Sequence, residues 1–74
     1  MVEIYGADWC SYCKHAVKLC EEKGVEYQYI DIDDTVNLRT LETRVGSKIR
    51  QVPQIFLNDS LVEGGFGGLQ LILK

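Results

Sequence analysis

Two cysteines, Cys10 and Cys13, are separated by two residues and follow a short apolar run, Val2 to Tyr5. If that run is a strand and a helix begins near Ser11, Cys10 occupies the strand-to-helix turn. The first backbone N–H groups of the helix then point at its sulfur, and the helix dipole stabilises a thiolate. Such placement lowers the pKa of a thiol to roughly 3.5–7.5. Cys13, one turn further on, can attack a mixed disulfide at Cys10, so the pair predicts thiol–disulfide exchange.

The other side chains that bind metals or change redox state do not extend this site. Cys20 lies two helical turns from Cys13 on the apolar face and is predicted to be a core residue. His15 falls on the polar face, and the carboxylates between residues 31 and 34 are explained as a helix cap and a solvated turn. One CxxC pair and one histidine are too few for the usual structural zinc site, so we predict no metal centre.

The composition excludes several classes of protein. The 74 residues are predicted to form a single domain, 1–74, with 46% hydrophobic and 26% charged residues. A net charge of −3 without a basic run argues against nucleic acid as a partner. No apolar run approaches membrane-spanning length, and the first residues do not resemble a signal peptide. Because three cysteines fit a thiol-reducing compartment better than a disulfide-stapled secreted domain, we expect a cytoplasmic protein.

Hydrophobic periodicity predicts the elements that position the cysteines. Apolar residues at helical spacing predict a helix from Ser11 to Lys23, which Gly24 ends in a left-handed conformation. The segment Val25 to Ile32 predicts a second strand, whose mixed pattern towards its end indicates burial on both faces. A second, weaker helix follows an N-cap within Asp33–Thr35 and ends at Gly46.

The second half of the chain is predicted to form two strands and a short helix. Val52 to Leu57 is an apolar strand that starts with the only proline, which has no N–H for a sheet. Asn58–Asp59 predicts a turn into a strand over Ser60–Glu63, completing a hairpin. Gly64–Gly68 is predicted to be a glycine-rich loop, and Leu69–Leu73 a short terminal helix. The order of elements is βαβαββα.

Four segments, taken together in order and spacing, resemble the glutaredoxin family. They are Ile4–Tyr5, Cys10–Cys13 (Cys-Ser-Tyr-Cys), Val52–Phe56, and Gly64–Phe66 with Leu69. The resemblance spans nearly the whole chain and implies an α/β, thioredoxin-like fold, with a four-stranded mixed sheet flanked by three helices. It is strongest to the small, compact members, which include phage-encoded ones; if phage-encoded, the protein would act in the host cytoplasm.

The resemblance implies a glutathione-linked thiol–disulfide oxidoreductase that reduces protein disulfides or glutathione mixed disulfides through Cys10 and Cys13. Glutathione would be the co-substrate of a monomeric enzyme, and disulfide-containing proteins, among them ribonucleotide reductase, would be the electron acceptors. Pro53 would form a cis peptide bond beside Cys10, and the backbone of Val52 would pair with a peptide-like substrate. The glycine-rich loop would open the last helix and present N–H groups to the γ-glutamyl carboxylate. The residues implied to bind glutathione are Tyr12, Gln51, Val52, Pro53, Gly65, Phe66 and Gly67.

Three positions depart from the family's pattern. Ala7 stands where a lysine is usual, Gly67 where an aspartate commonly holds the glutathione amine, and Gln51 where a threonine is frequent. Lys48 or Arg50 is a candidate to supply the missing positive charge. These departures keep one alternative open, in which the protein is a redoxin recharged by a flavoprotein thioredoxin reductase.

The residue after the first cysteine keeps a second alternative open. Ser11, where proline is commoner, restores an N–H that can bond the thiolate and loosens the turn. Glutaredoxins with the sequence Trp-Cys-Ser-Tyr-Cys include some that hold a 2Fe–2S cluster between two protomers. In this alternative the chain is a glutathione-dependent 2Fe–2S cluster-binding dimer, and Cys10 is a ligand of the cluster.

Overall fold

A computed structural model describes all 74 residues as one four-stranded sheet with three helices. The elements are β1 (Val2–Gly6), α1 (Ser11–Lys23), β2 (Tyr27–Asp31), α2 (Thr35–Val45), β3 (Gln54–Leu57), β4 (Ser60–Leu61) and α3 (Gly65–Ile72). The strand order is β2-β1-β3-β4, in which β1 is parallel to β2 and antiparallel to β3, and β3 is antiparallel to β4. The predicted mixed sheet and the predicted order of elements are confirmed.

The sheet separates two apolar clusters, one on each face. Helices α1 and α3 cover the larger cluster, whose buried residues are Val2, Ile4, Ala16, Cys20, Ile55, Val62 and Leu69. Helix α2 covers the other, where Leu41 packs with Tyr5 and Phe56. Strand β1 contributes to both clusters, because successive side chains of a strand point to opposite faces. The best-packed strand therefore ends at Gly6, four residues before Cys10, and anchors the start of the site.

Helix α1 has the predicted bounds, Ser11–Lys23, and its C-terminus explains where the next strand starts. Gly24 adopts a left-handed conformation with φ of 65°. The N–H groups of Gly24 and Val25 bond to carbonyls of α1 at 3.2 and 2.9 Å, which is a Schellman cap. Because Val25 completes this cap, β2 begins at Tyr27, two residues later than predicted.

The prediction that the second strand is buried on both faces is wrong. Strand β2 lies at the edge of the sheet and pairs only with β1, and both Gln28 and Tyr29 are exposed. The pattern of apolar residues did not indicate full burial, because tyrosine also suits a half-exposed edge strand. There the ring packs against neighbours while the hydroxyl makes polar contacts. Tyr27 illustrates this, since its hydroxyl donates to the Glu21 carboxylate at 2.9 Å.

The predicted hairpin is confirmed, with a shorter second strand. Asn58 and Asp59 have φ of 49° and 70°, the positive values that a type I′ turn requires at both central positions. Strand β4 contains only Ser60–Leu61 and so ends two residues before the predicted limit. Val62 is still held to the sheet, because its N–H donates to the Ile55 carbonyl at 2.8 Å.

The last helix begins four residues earlier than predicted, and the interpretation of the glycine-rich stretch as a loop is wrong from Gly65 onward. Helix α3 runs Gly65–Ile72, and Gly64 caps it with φ of 85°. A Cβ at Gly68 would overlap the Glu63 carbonyl oxygen and lie 3.0 Å from a methyl group of Val62. Glycine is therefore needed there for the first turn of α3 to pack closely on the segment before it. None of the three helices has the length and apolar character needed to cross a membrane.

Candidate active site

The Cys10 sulfur lies at the start of α1, as predicted from the sequence. Cys10 is the N-cap residue of the helix, and its sulfur accepts the Cys13 N–H at 3.2 Å. Its S–H donates to the Val52 carbonyl at 3.6 Å, although the two residues are 42 positions apart. Only 7% of Cys10 is exposed. The sulfur thus has one donor from the helix and one carbonyl at the start of β3, both contributed by the main chain.

Cys13 lies directly behind this sulfur and is fully buried. Burial, a hydrogen bond with Cys10 and the charge of Cys10 together raise the pKa of Cys13 to about 12. The strand before the site makes room for it, because a Cβ at Gly6 would lie 2.6 Å from the Cys13 sulfur. Cys13 is therefore held as a neutral thiol while Cys10 is reduced.

The influence of Cys10 on the pKa of Cys13 favours an order in which the two sulfurs react. Since hydrogen bonding with Cys10 and the charge of Cys10 both raise the pKa of Cys13, a mixed disulfide at Cys10 removes both contributions. Cys13 then becomes more acidic only after Cys10 has reacted. The arrangement therefore suits an attack in a fixed sequence, with Cys10 first and Cys13 second.

Alkylation tests whether the three free cysteines differ in reactivity. Burial also raises the pKa of Cys20, with a smaller contribution from the Glu21 charge. Because both raised thiols stay protonated until the pH is well above neutral, we expect iodoacetamide at about pH 7 to modify Cys10 at least about a hundredfold faster than Cys13 or Cys20. Peptide mapping by mass spectrometry over time measures this ratio. First labelling at Cys13 would contradict the arrangement.

A cleft of about 570 Å³, here called the glycine cleft, opens beside Val52 and α3. It contains every residue that the resemblance implies for glutathione binding: Tyr12, Gln51, Val52, Pro53, Gly65, Phe66 and Gly67. The Val52–Pro53 peptide bond is cis, as the resemblance implies. The fold thus gathers residues from α1, the approach to β3, and α3 around one opening next to the Cys10 sulfur.

The charges near the glycine cleft differ from those that the sequence suggests. Glu63 is the only charged side chain that lines it. Arg50 lines a different depression together with Trp9, and Lys48 lies further along the same side. Ala7, at the position of the usual lysine, is fully buried. The walls of the cleft therefore carry one negatively charged side chain and no positively charged one.

Sequence reasoning missed one contact at the wall of the glycine cleft. His15 is exposed, as predicted, but its ring lies 5.7 Å from the centres of both Tyr12 and Phe66, which are themselves 5.9 Å apart. The spacing of Tyr12 and His15, three residues apart on a helix, was the available signal for half of this cluster. The contact with Phe66 joins α1 to α3 and depends on the tertiary fold. His15 supports the orientation of two rings that line the cleft.

The fold and the site define the class. The chain combines a four-stranded mixed sheet and three helices with a CxxC pair at the start of α1. A cis proline follows Val52, whose carbonyl is hydrogen-bonded to the first sulfur of the pair. These are features of thioredoxin-like thiol redox proteins. The family model for glutaredoxins matches residues 2–62. The chain belongs to the glutaredoxin family, whose members are thiol–disulfide oxidoreductases.

Individual relatives agree with the family match. A glutaredoxin from Pseudomonas aeruginosa is 41% identical over 64 residues, covering 85% of this chain and 74% of the relative. Glutaredoxin 3 of Escherichia coli K12 is 36% identical over 81 residues, covering 99% and 96%. A buckwheat glutaredoxin solved in complex with glutathione has a TM-score of 0.74 at 24% identity and shows the shared fold. The alignment with it covers 95% of this chain and 64% of the buckwheat protein.

Proposed function

We propose that this protein reduces protein disulfides and glutathione mixed disulfides through Cys10 and Cys13, with glutathione as the electron donor. The single observation that carries the proposal is the position of the glycine cleft beside the Cys10 sulfur. Val52 lines the cleft, and its carbonyl accepts a hydrogen bond from that sulfur. A tripeptide thiol in this cleft would meet the reactive atom through its own cysteine. The volume of about 570 Å³ is within the range of small-molecule sites.

The reaction proceeds by exchange of sulfur partners. The Cys10 thiolate attacks one sulfur of the substrate disulfide, forms a new S–S bond, and releases the other sulfur as a thiolate. Cys13 loses its proton, attacks the Cys10 sulfur and releases the second substrate thiolate, leaving a Cys10–Cys13 disulfide. Two glutathione thiols then restore both cysteines in succession and leave as glutathione disulfide, so two electrons pass to the substrate. When the target is a glutathione mixed disulfide, a second glutathione can take the place of Cys13.

Main-chain groups provide the docking site for the substrate. The Val52 carbonyl accepts the Cys10 S–H in the reduced protein, and ionisation of Cys10 removes that donor. The carbonyl is then free to accept an N–H from an extended substrate, in the strand-like mode that tolerates varied side chains. This accounts for a reductase that acts on both glutathione and proteins.

The glycine cleft suits the ends of glutathione in different ways. The N–H groups at the start of α3, near Gly65 and Phe66, favour a carboxylate, because the helix dipole is positive there. Glu63, the only charged side chain lining the cleft, favours the ammonium group of the γ-glutamyl residue. The buckwheat glutaredoxin solved with glutathione supports this class of ligand for the shared fold.

We further propose that the protein acts as a monomer in a cytoplasm-like, thiol-reducing compartment. The cysteine count supports such an environment, because three cysteines are few and odd in number for a secreted domain stapled by disulfides. The electron acceptors would be disulfide-containing proteins, and ribonucleotide reductase is one acceptor suggested by the family resemblance.

A comparison of electron donors tests the proposal. With a mixed disulfide of glutathione as substrate, we expect turnover with glutathione, glutathione reductase and NADPH to exceed turnover with thioredoxin reductase and NADPH by at least about tenfold. NADPH consumption at 340 nm measures both rates, and a reaction without the protein gives the background. Faster turnover with the flavoprotein thioredoxin reductase would refute glutathione as the donor.

A further inference from the structure

Tyr29 of β2 lies beside the Cys13 sulfur and has no part in the reaction described above. A Cβ placed on Gly6 would be 2.6 Å from that sulfur and 3.2 Å from Cε1 of the Tyr29 ring. Because both atoms lie so close to the same point, the sulfur and the edge of the ring are neighbours. Glycine at position 6 thus leaves the space that the Cys13 and Tyr29 side chains share.

The parallel pairing of β1 with β2 explains how the ring reaches the thiol. Tyr29 is paired with Ile4, and partners in a parallel ladder point to the same face of the sheet. Ile4 belongs to the larger apolar cluster, which α1 and α3 cover, so the Tyr29 ring is directed towards α1. The ring therefore approaches Cys13 from the strand, whereas the Cys10 sulfur approaches it from the start of the helix.

Tyr29 lies at the boundary between the second thiol and solvent. Cys13 is fully buried, whereas Tyr29 is 36% exposed. Strand β2 is at the edge of the sheet and pairs only with β1, so no further strand lies outside the ring. A partly exposed ring that borders a fully buried sulfur is placed to keep water away from that sulfur.

The Tyr29 hydroxyl stays protonated beside the two sulfurs. The pKa of Tyr29 is raised to about 12, chiefly by burial. Nearby negative charges contribute to the same rise; in order of size they belong to Cys13, Asp31, Asp8 and Cys10. A neutral phenol adds no charge near Cys13, so it acts on the thiol by excluding water. Exclusion of water disfavours a thiolate, and burial is the largest cause of the raised pKa of Cys13.

We propose that Tyr29 is a positioning residue for the second thiol, whose ring shields Cys13 from water and from glutathione. The shield keeps Cys13 protonated until Cys10 has reacted, and it confines glutathione to the Cys10 sulfur. The inference rests on the proposed function, in which Cys13 makes the second attack. Without the ring, Cys13 loses its proton to solvent more readily and attacks glutathione disulfide. One S–S bond then forms at Cys13, and the other half of the reagent leaves as a glutathione thiolate.

The Cys10→Ser protein isolates the effect of the ring, because the charge of Cys10 is absent and burial remains the largest cause of the raised pKa of Cys13. In this background, Tyr29→Thr removes the ring and keeps a β-branched residue that suits a strand. Tyr29→Phe removes only the hydroxyl. Tyr27→Thr is the matched control, since Tyr27 is on the same face of the same strand but its hydroxyl donates to Glu21.

We expect Tyr29→Thr to speed the reaction of Cys13 with iodoacetamide at about pH 8 by at least about tenfold, and to lower the midpoint of the pH–rate profile by about one unit. The reaction of Cys13 with glutathione disulfide should accelerate by a similar factor. Tyr29→Phe and Tyr27→Thr should stay within about twofold of the Cys10→Ser protein. Mass spectrometry of the Cys13 peptide over time measures the rates. Urea unfolding verifies the fold, and Tyr29→Val provides a second truncation of the ring.

Unchanged rates at Cys13 in a folded Tyr29→Thr or Tyr29→Val variant would overturn the proposal. Equal acceleration by Tyr27→Thr would also overturn it, because a general loosening of β2 would then explain the result, and so would equal acceleration by Tyr29→Phe, which keeps the ring. A faster reaction with an unshifted midpoint would contradict the role in keeping the thiol protonated. These measurements involve neither turnover nor an electron donor. If glutathione fails as the donor while Cys13 still responds to loss of the ring, the proposed donor is refuted and the shield is retained.

Discussion

Cys10→Ser should reduce disulfide reductase activity by roughly a thousandfold or more with every substrate. A hydroxyl is not ionised at neutral pH and cannot form the S–S bond on which each step depends. The fold should survive, because serine is a favoured N-cap residue and its oxygen can accept the Cys13 N–H in place of sulfur. Glutathione-coupled turnover and the midpoint of urea unfolding measure the two expectations. The variant should be inactive and fully folded.

Cys13→Ser is the matched control for this loss. It removes only the second attack, so we expect reduction of protein disulfides to fall by at least about a hundredfold, while glutathione mixed disulfides are still turned over. The remaining thiol at Cys10 should then accumulate as a mixed disulfide with a protein substrate, visible by mass spectrometry. Activity of Cys10→Ser comparable to that of Cys13→Ser would contradict the assignment of Cys10 as the nucleophile.

Gly68→Ala should destabilise the fold by about 3 kcal/mol, the upper end of the range for overpacking. The added Cβ would overlap the Glu63 carbonyl oxygen, and main chain cannot move aside as a flexible side chain can. The first turn of α3 would have to shift, and with it the wall of the glycine cleft. Urea unfolding gives the change in free energy, and the KM for a glutathione mixed disulfide reports the change at the cleft.

Gly67→Ala is the control one position earlier in the same helix. A Cβ at Gly67 has no neighbour within 4 Å, and this glycine has no positive φ. Alanine there should stabilise α3 by about 0.5–1 kcal/mol, because it lowers the entropy lost when the helix forms. Equal effects of the two substitutions would show that helix propensity, and not the approach to Glu63, explains the glycine at position 68.

The regular elements nearest the cysteines could be predicted because their signals are local. Helical spacing and Gly24 defined α1, and Asn58–Asp59 defined the hairpin turn. The start of α3 was missed for the opposite reason. Consecutive glycines disfavour a helix by propensity, and the advantage of Gly68 appears only when the Glu63 carbonyl lies against it. The exposure of β2 was missed because it depends on strand order, which a single strand's pattern does not contain.

The sequence by itself determined the chemistry: two sulfurs one helical turn apart, at the start of a helix whose bounds follow from its own residues. Tertiary structure decided what surrounds them. Pairing of β1 with β3 brings Val52 to the Cys10 sulfur across 42 positions, and α3 then closes the glycine cleft. The tertiary structure also placed Glu63 at the wall of the glycine cleft and Arg50 outside that cleft. Sequence could not assign these charges, because their positions depend on contacts between elements far apart in the chain.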